Sequence, residues 1–352
     1  MRLRVFLTLI FFFITMTVPA ASTGQAHISD MFANGDVCEV TIGSSDDLHN
    51  VTLRYDLMLS SRLIDSKMVE LGDVSAGNIS RIILWDTDLE KNIYVFEVSL
   101  FVDGELAHSR QMEFVHGNQA LLDFKVAGFN SDNKGAAVVI SPNNIYRPSI
   151  VDLTFEIFKE NELLYSETLK DVPVIQAMEK DIKWPILLDN GRKYVTLLKV
   201  RSHGSDLTSA YISIFKAEQD VKIITDDAEL DEYGASVTLM GMSQVPFYGK
   251  VGVILINNGT NIYFEEESDV LTLNKEDTVG FLWEDILPGD YTAEIRVFNN
   301  EGKILDSYET AVRIRELPPA PPEQKKQLPG PGVIGNIAAF LAVFFRLRIN
   351  RR

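Results

Sequence analysis

The sequence predicts an all-β protein built from three tandem β-sandwich units. Three observations carry this expectation. The chain has only three tryptophans, Trp85, Trp184 and Trp283, and both intervals between them are 99 residues. Apolar and polar residues alternate in short runs, which is the period of a strand with one buried face. Turn signals separate these runs every ~8–12 residues, the spacing expected of a sandwich.

The first unit, 27–116, opens with AHISDMFA and DVCEVTIG. The first of these is the least regular strand candidate of the chain. VTLRYDLMLSSRLIDSKMVELGDVSAGN follows as strand, tight polar turn, strand and linker into RIILW, which ends on Trp85. After a polar loop, Tyr94 starts an alternating strand, and Asp103-Gly104 suits a two-residue hairpin whose central positions need positive φ. The second unit, 118–217, repeats the order. LDFKVAGF and AAVVISPNN precede the hairpin that starts at Val151, followed by Trp184, Asp189-Asn190-Gly191 and Tyr194. The third unit, 219–316, does so again, with DVKIITDD, ASVTLMGM, the hairpin GVILINNGTNIYFEE, Trp283, Tyr291 and the longer turn Asn300-Glu301-Gly302. No stretch sustains a helical period; VIQAMEKDI in the second unit comes nearest.

The recurring Trp and Tyr pairs read as core residues, since large aromatics at the same place in every unit fit two sheets packed face to face. A repeated sugar-stacking platform is the other reading of these six side chains. Substituting Trp283 by alanine is expected to destabilise the third unit by several kcal/mol, as roughly 3–5 kcal/mol is lost when a buried Trp or Phe is truncated.

Both ends read as targeting segments. MRLR followed by the apolar run Val5–Val18 and PAASTG has the form of a secretory signal peptide, 1–22, with cleavage between Ala20 and Gly24; an uncleaved anchor is the alternative. At the other end, the proline-rich stretch 317–332 reads as a stalk. The segment 333–352 reads as an apolar helix of 13 residues, Val333–Phe345, with a basic tail. The helix would rise ~20 Å against a hydrocarbon core of ~30 Å. The basic residues after it would face the cytoplasm and the three units the outside. The sequons at Asn50, Asn78 and Asn258 are candidate glycosylation sites in an exported protein.

Two resemblances sit on these residues. WEDILPGDYTAEIRVF, with the hairpin before it, resembles immunoglobulin-like repeats of the CARDB type found in bacterial and archaeal surface proteins. The tail resembles the sorting signal of archaeal surface proteins, in which a Pro-Gly-Phe motif precedes a short apolar helix and a basic cluster. Here the motif positions are Pro329, Gly330, Pro331 and Gly332, with Pro331 where that family has phenylalanine. The resemblance implies removal of the tail by an archaeosortase and attachment of a lipid; a retained membrane anchor is the alternative.

The net charge of −17 disfavours nucleic acid as a partner. The single cysteine, Cys38, excludes an intramolecular disulfide and reads as a small buried hydrophobe. His27, His49, His108, His116 and His203 lack the spacing of a metal site, and no nucleophile elbow or phosphate loop occurs. No catalytic residue, cofactor or metal is therefore expected. Acidic runs at Asp46-Asp47, at Asp86, Asp88 and Glu90, at Asp226-Asp227 with Asp231-Glu232, and at Glu265–Glu267 match no defined calcium loop and read as solvated surface; calcium held by loop carboxylates is the alternative, with the run from Asp226 to Glu232 its first choice. The expected function is a non-enzymatic surface module acting on protein or glycan partners through complementary surfaces and strand edges. A carbohydrate- or substrate-binding module, or an accessory subunit of a surface complex, is the alternative.

Overall fold

The computed structural model describes residues 26–117, 122–204 and 207–315. The signal-peptide stretch, the proline-rich stalk, the apolar tail and the motif Pro329–Gly332 lie outside the described residues. The first seven strands are β1 (His27–Ala33), β2 (Val37–Ser44), β3 (Leu48–Leu59), β4 (Arg62–Val74), β5 (Gly77–Leu84), β6 (Asn92–Val102) and β7 (Glu105–His116). They form a three-stranded layer, β1-β2-β5, and a four-stranded layer, β4-β3-β6-β7. One apolar core joins the layers, with Val40, Ile42 and Ile83 from one side and Leu53, Tyr55, Phe96 and Val98 from the other.

The next seven strands are β8 (Phe124–Ser131), β9 (Gly135–Pro142), β10 (Ser149–Lys159), β11 (Glu162–Val174), β12 (Met178–Lys183), β13 (Lys193–Ser202) and β14 (Thr208–Lys216). Here β12-β9-β8 faces β11-β10-β13-β14 across a second core that holds Val138, Ile140, Phe155 and Leu198. β11 also pairs with β5 at Glu162 and Arg81, so β1-β2-β5-β11-β10-β13-β14 is one seven-stranded sheet that runs through the first two groups. The stretch nearest to a helical period, VIQAMEKDI, runs into β12.

The last group is β15 (Val221–Ile223), β16 (Glu229–Leu230), β17 (Gly234–Gly241), β18 (Gly249–Asn257), β19 (Thr260–Glu267), β20 (Glu276–Leu282), β21 (Gly289–Asn299) and β22 (Ile304–Ile314). A single 3₁₀ turn, Thr225–Asp227, splits its first strand into β15 and β16, which both pair with β17. β20 pairs with the other edge of β17 and completes one four-stranded layer; the second is β19-β18-β21-β22, and a third core lies between them.

Turn chemistry decides which layer the fourth strand joins in the second and third units. Glu160 and Asn161 have φ of 50° and 70°, and Asn258 and Gly259 have 45° and 84°. Two central residues with positive φ make a tight hairpin whose twist matches that of its strands. The strand after such a turn must pair with the strand before it, so β11 stays beside β10 and β19 beside β18. Asp103 and Gly104, at 52° and 80°, close β6 onto β7 in the same way.

Candidate functional site: the tryptophan poles and the joints between units

Each tryptophan closes one end of its unit by the same hydrogen bonds. The indole Nε1 donates to a backbone carbonyl in the turn between the first two strands of the unit: Trp85 to Asn34 at 3.0 Å, Trp184 to Asp132 at 3.0 Å, and Trp283 to Asp231 at 2.8 Å. The backbone N–H of each tryptophan donates two residues further along that turn, to Asp36, Lys134 and Tyr233. The turn residue itself is an Asx cap. Oδ1 of Asn34 accepts from the N–H of Asp36 and Val37, Asp132 from Lys134 and Gly135, and Asp231 from Tyr233 and Gly234. A short side-chain acceptor that holds its own downstream backbone is why Asn and Asp suit this place. Asn34, Asp132 and Asp231 recur at intervals of 98 and 99 residues, a third repeated position that the sequence holds alongside the Trp and Tyr pairs.

The tyrosines lock the adjacent loop. Tyr94 donates to the Glu90 carbonyl at 3.0 Å and Tyr291 to the Leu287 carbonyl at 2.8 Å, while the Tyr194 hydroxyl accepts from the Asp189 N–H at 2.9 Å. This is the tyrosine-corner geometry of sandwich folds. Tyr94, Tyr194 and Tyr291 are buried, as are Trp85 and Trp184. Trp283 is partly exposed, and its ring packs tilted, at 53°, against Phe264 with centroids 4.8 Å apart.

The sequons all lie at the surface. Asn50, Asn78 and Asn258 are exposed, Asn50 with φ of 48° and Asn258 at the tip of the β18–β19 hairpin. Cys38 is fully buried, and burial pushes its thiol well above the usual range. Members of the acidic runs are engaged in local structure. Asp47 caps the N–H of Ala76, Asp86 pairs with Lys67, Asp231 holds its turn, and Glu265 pairs with Lys250.

The structure also gathers three residues that the sequence keeps far apart. His203 Nε2 stands 3.0 Å from Asp152 Oδ1, and His203 Nδ1 stands 3.7 Å from Asp171 Oδ1. The Asp171 N–H, at a residue with φ of 55°, donates to Asp152 Oδ1 at 2.9 Å. That bond, followed by the one from His203, holds the Asp152 carboxyl below its ordinary range against the opposing effect of burial. The carboxylate and imidazole atoms of these residues lie within 4.8 Å of one another. The contacts tie together the ends of β10, β11 and β13.

The first joint is the most heavily buried polar cluster between units. Lys199 Nζ donates to Glu39 Oε2 at 2.6 Å and lies 2.9 Å from Glu156 Oε1. Both glutamate side chains are 6% exposed, and Glu156 Oε2 has no hydrogen-bond partner. Burial first, and then the charge of Glu39, push the Glu156 carboxyl up to about 7 while Lys199 opposes the rise. Burial pulls the Lys199 ammonium down, but the two glutamates outweigh it and its pKa is raised. Around the triad, Val37 and Ile82 of the first unit pack on Phe158, Leu197 and Ala210 of the second. Beside this patch, the edge of β5 meets the β10–β11 hairpin: the Ile82 N–H donates to the Asn161 carbonyl at 3.0 Å, and Arg81 pairs with Glu162 at 3.4 Å. The Asn34 amide reaches the Ala210 carbonyl at 3.2 Å.

The second joint is end to end. Gln244, in the loop between β17 and β18, donates through Nε2 to the Trp184 carbonyl at 2.6 Å and through its N–H to the Asn133 carbonyl at 3.1 Å. The next residue, Val245, is 1% exposed and belongs to the core of the second unit, as does Leu188 at 2%. Asn133 makes two bonds to the backbone of Glu218 in the segment between β14 and β15.

No family model and no curated protein matches this chain. Among solved structures, it is similar to a tetra-tandem repeat in the extending region of a large adhesion protein, at 13% identity and a TM-score of 0.25, covering 83% of this chain and 75% of that one. It is also similar to the FN1–FN3 domains of chicken CNTN1, at 12% identity and a TM-score of 0.23, covering 83% of this chain and 98% of that one. Red sea bream transglutaminase, an enzyme, is similar at 9% identity and a TM-score of 0.26, over 56% of this chain and 32% of its own. Overlaps this loose carry no argument about activity, and the sandwich reading rests on the strand pairing itself.

Proposed function

We propose that this chain is an exported, membrane-tethered surface protein of the archaeal kind, whose three sandwich domains form a fixed arm for structural or adhesive contact. The observation that carries the reading is the pair of built joints. A linker-connected string of domains would leave Glu39, Glu156, Lys199 and Val245 in water, whereas here all four are inside junctions. Fixed junctions suit a module that holds a binding surface at a set distance from its anchor. The exposed positions of Asn50, Asn78 and Asn258 suit glycans on an exported chain. The partners of such an arm are protein or glycan surfaces, and the membrane end is the apolar segment 333–352 or a lipid that replaces it after cleavage at Pro329–Gly332.

The test is made on native membranes. Intact cells are treated with a membrane-impermeant lysine reagent, and the C-terminal peptide of the purified protein is weighed. The reading expects labelled lysines in all three domains. A peptide ending near Gly332 with added lipid mass identifies a sorting signal; one running to Arg352 identifies a retained anchor. Lysines that label only after lysis would overturn the surface assignment.

A further inference from the structure

The three tryptophan poles are built alike but differ in what covers them. In the first unit the Asn34 turn lies against Ala210 of the second. In the second unit the pole is capped by Gln244 and Val245 of the third, and Leu188, four residues after Trp184, is 2% exposed. In the third unit the matching leucine, Leu287, four residues after Trp283, is 77% exposed. Around it lie the partly exposed Trp283 and Ile286, with Tyr233 and Leu282 exposed. A cluster of apolar side chains at the place where a sister unit buries its counterpart is the mark of an interaction surface.

We propose that this third pole is the docking site of the chain's own proline-rich segment, Leu317–Lys326. Three observations choose this occupant. The first is where the chain leaves the fold. Ile314 pairs with Gly289, two residues after Leu287, so the segment starts beside the pole. The matching stretch after β14, from Ala217 to Asp220, runs along the second pole in the same way, with Ala217 buried in the second core. The second is composition. LPPAPPEQKK offers a leucine and four prolines within eight residues of Ile314. Such a stretch favours an extended polyproline helix that docks on aromatic side chains at low entropic cost, and Val245-Pro246 supplies the same pairing of branched aliphatic and proline at the second joint. The third is charge. Glu284 and Asp285 stand exposed in the pole loop, and the sequence carries the opposite charge at Lys325 and Lys326, reached within about 31 Å of extended polyproline chain from Leu317. Tethering gives such a contact a millimolar effective concentration, so weak contacts suffice. The proposal does not depend on the membrane reading.

The experiment is hydroxyl-radical labelling of the full chain, read by mass spectrometry. Tyr146, 86% exposed, serves as the reference for an open surface, and buried Trp184 as the control for folding. The comparison protein carries Leu317→Gly, Pro318→Gly, Pro319→Gly, Pro321→Gly and Pro322→Gly. Leu287 and Trp283 are expected to label at least fivefold more slowly in the natural chain than in the variant, with Trp184 unchanged. Equal labelling in the two proteins leaves the pole open to an outside partner and overturns the proposal. Protection that survives the substitutions and grows with protein concentration makes a second copy the occupant and overturns it as well.

Discussion

Replacing Lys199 by methionine removes the ammonium that bonds both Glu39 and Glu156 at the first joint. The two carboxylates are then left facing each other with side chains 6% exposed. Contacts of 2.6 and 2.9 Å so far from solvent are barely screened. Removing one partner from a buried ion cluster costs roughly 3–5 kcal/mol, mostly the penalty of the charge left behind. The loss should depend on pH, because a proton taken up by the glutamate pair relieves part of it. Urea unfolding at pH 8 and pH 5, followed by tryptophan fluorescence and by cross-linking between the first two units, measures both effects. The full loss is expected at pH 8 and about half of it or less at pH 5. Adding Glu39→Gln and Glu156→Gln to the methionine variant should restore most of the stability, since a neutral cluster carries no stranded charge. A loss below ~1 kcal/mol at pH 8 would refute the triad as a determinant of the joint. The natural chain has its own pH dependence. The Glu156 carboxyl is raised in the folded state, from 4.5 to about 7, so its contribution is full below pH 4.5 and fades as the pH climbs through 7. At ~1.4 kcal/mol per pH unit that contribution is on the order of 3–4 kcal/mol at most. Lys199 keeps its charge throughout this window, because its own pKa is raised.

Further outcomes follow from the poles and the cores. Trp184→Ala should cost ~3–5 kcal/mol in the second unit, and Trp283→Ala clearly less in the third, because Trp283 is partly exposed; differential scanning calorimetry ranks them. Val245→Ala removes a side chain that the third unit lends to the second core, so it should cost about 1–3 kcal/mol and split a shared melting transition in two. Tyr194→Phe deprives the Asp189 N–H of its acceptor and should cost ~1 kcal/mol by urea unfolding. The Cys38 thiol, buried and raised in pKa, should react with a thiol reagent only after unfolding.

Much of the architecture is local and therefore legible in the sequence. A period of two places Cys38, Val40 and Ile42 on the core side of β2, and the residue types at Asp103-Gly104 demand their turn. Because a two-residue turn leaves the chain no choice of partner, most strand pairing follows from stretches of ~20 residues. The Trp and Tyr positions mark the poles for the same reason, since their hydrogen bonds end on nearby loops or on the matching turn of the same unit. The joints are of another kind. By alternation Val37, Glu39, Phe158 and Lys199 occupy the outward faces of their strands, where Glu and Lys read as solvated. The one signal in the sequence was apolar residues on both faces of β2 and β10, the mark of strands covered on both sides. Strand patterning says that such a face is covered but does not say by what. Glu39 and Lys199 are 160 residues apart, and only the packing of one sandwich against the next brings them together, removes the water and turns three ordinary surface charges into a buried cluster.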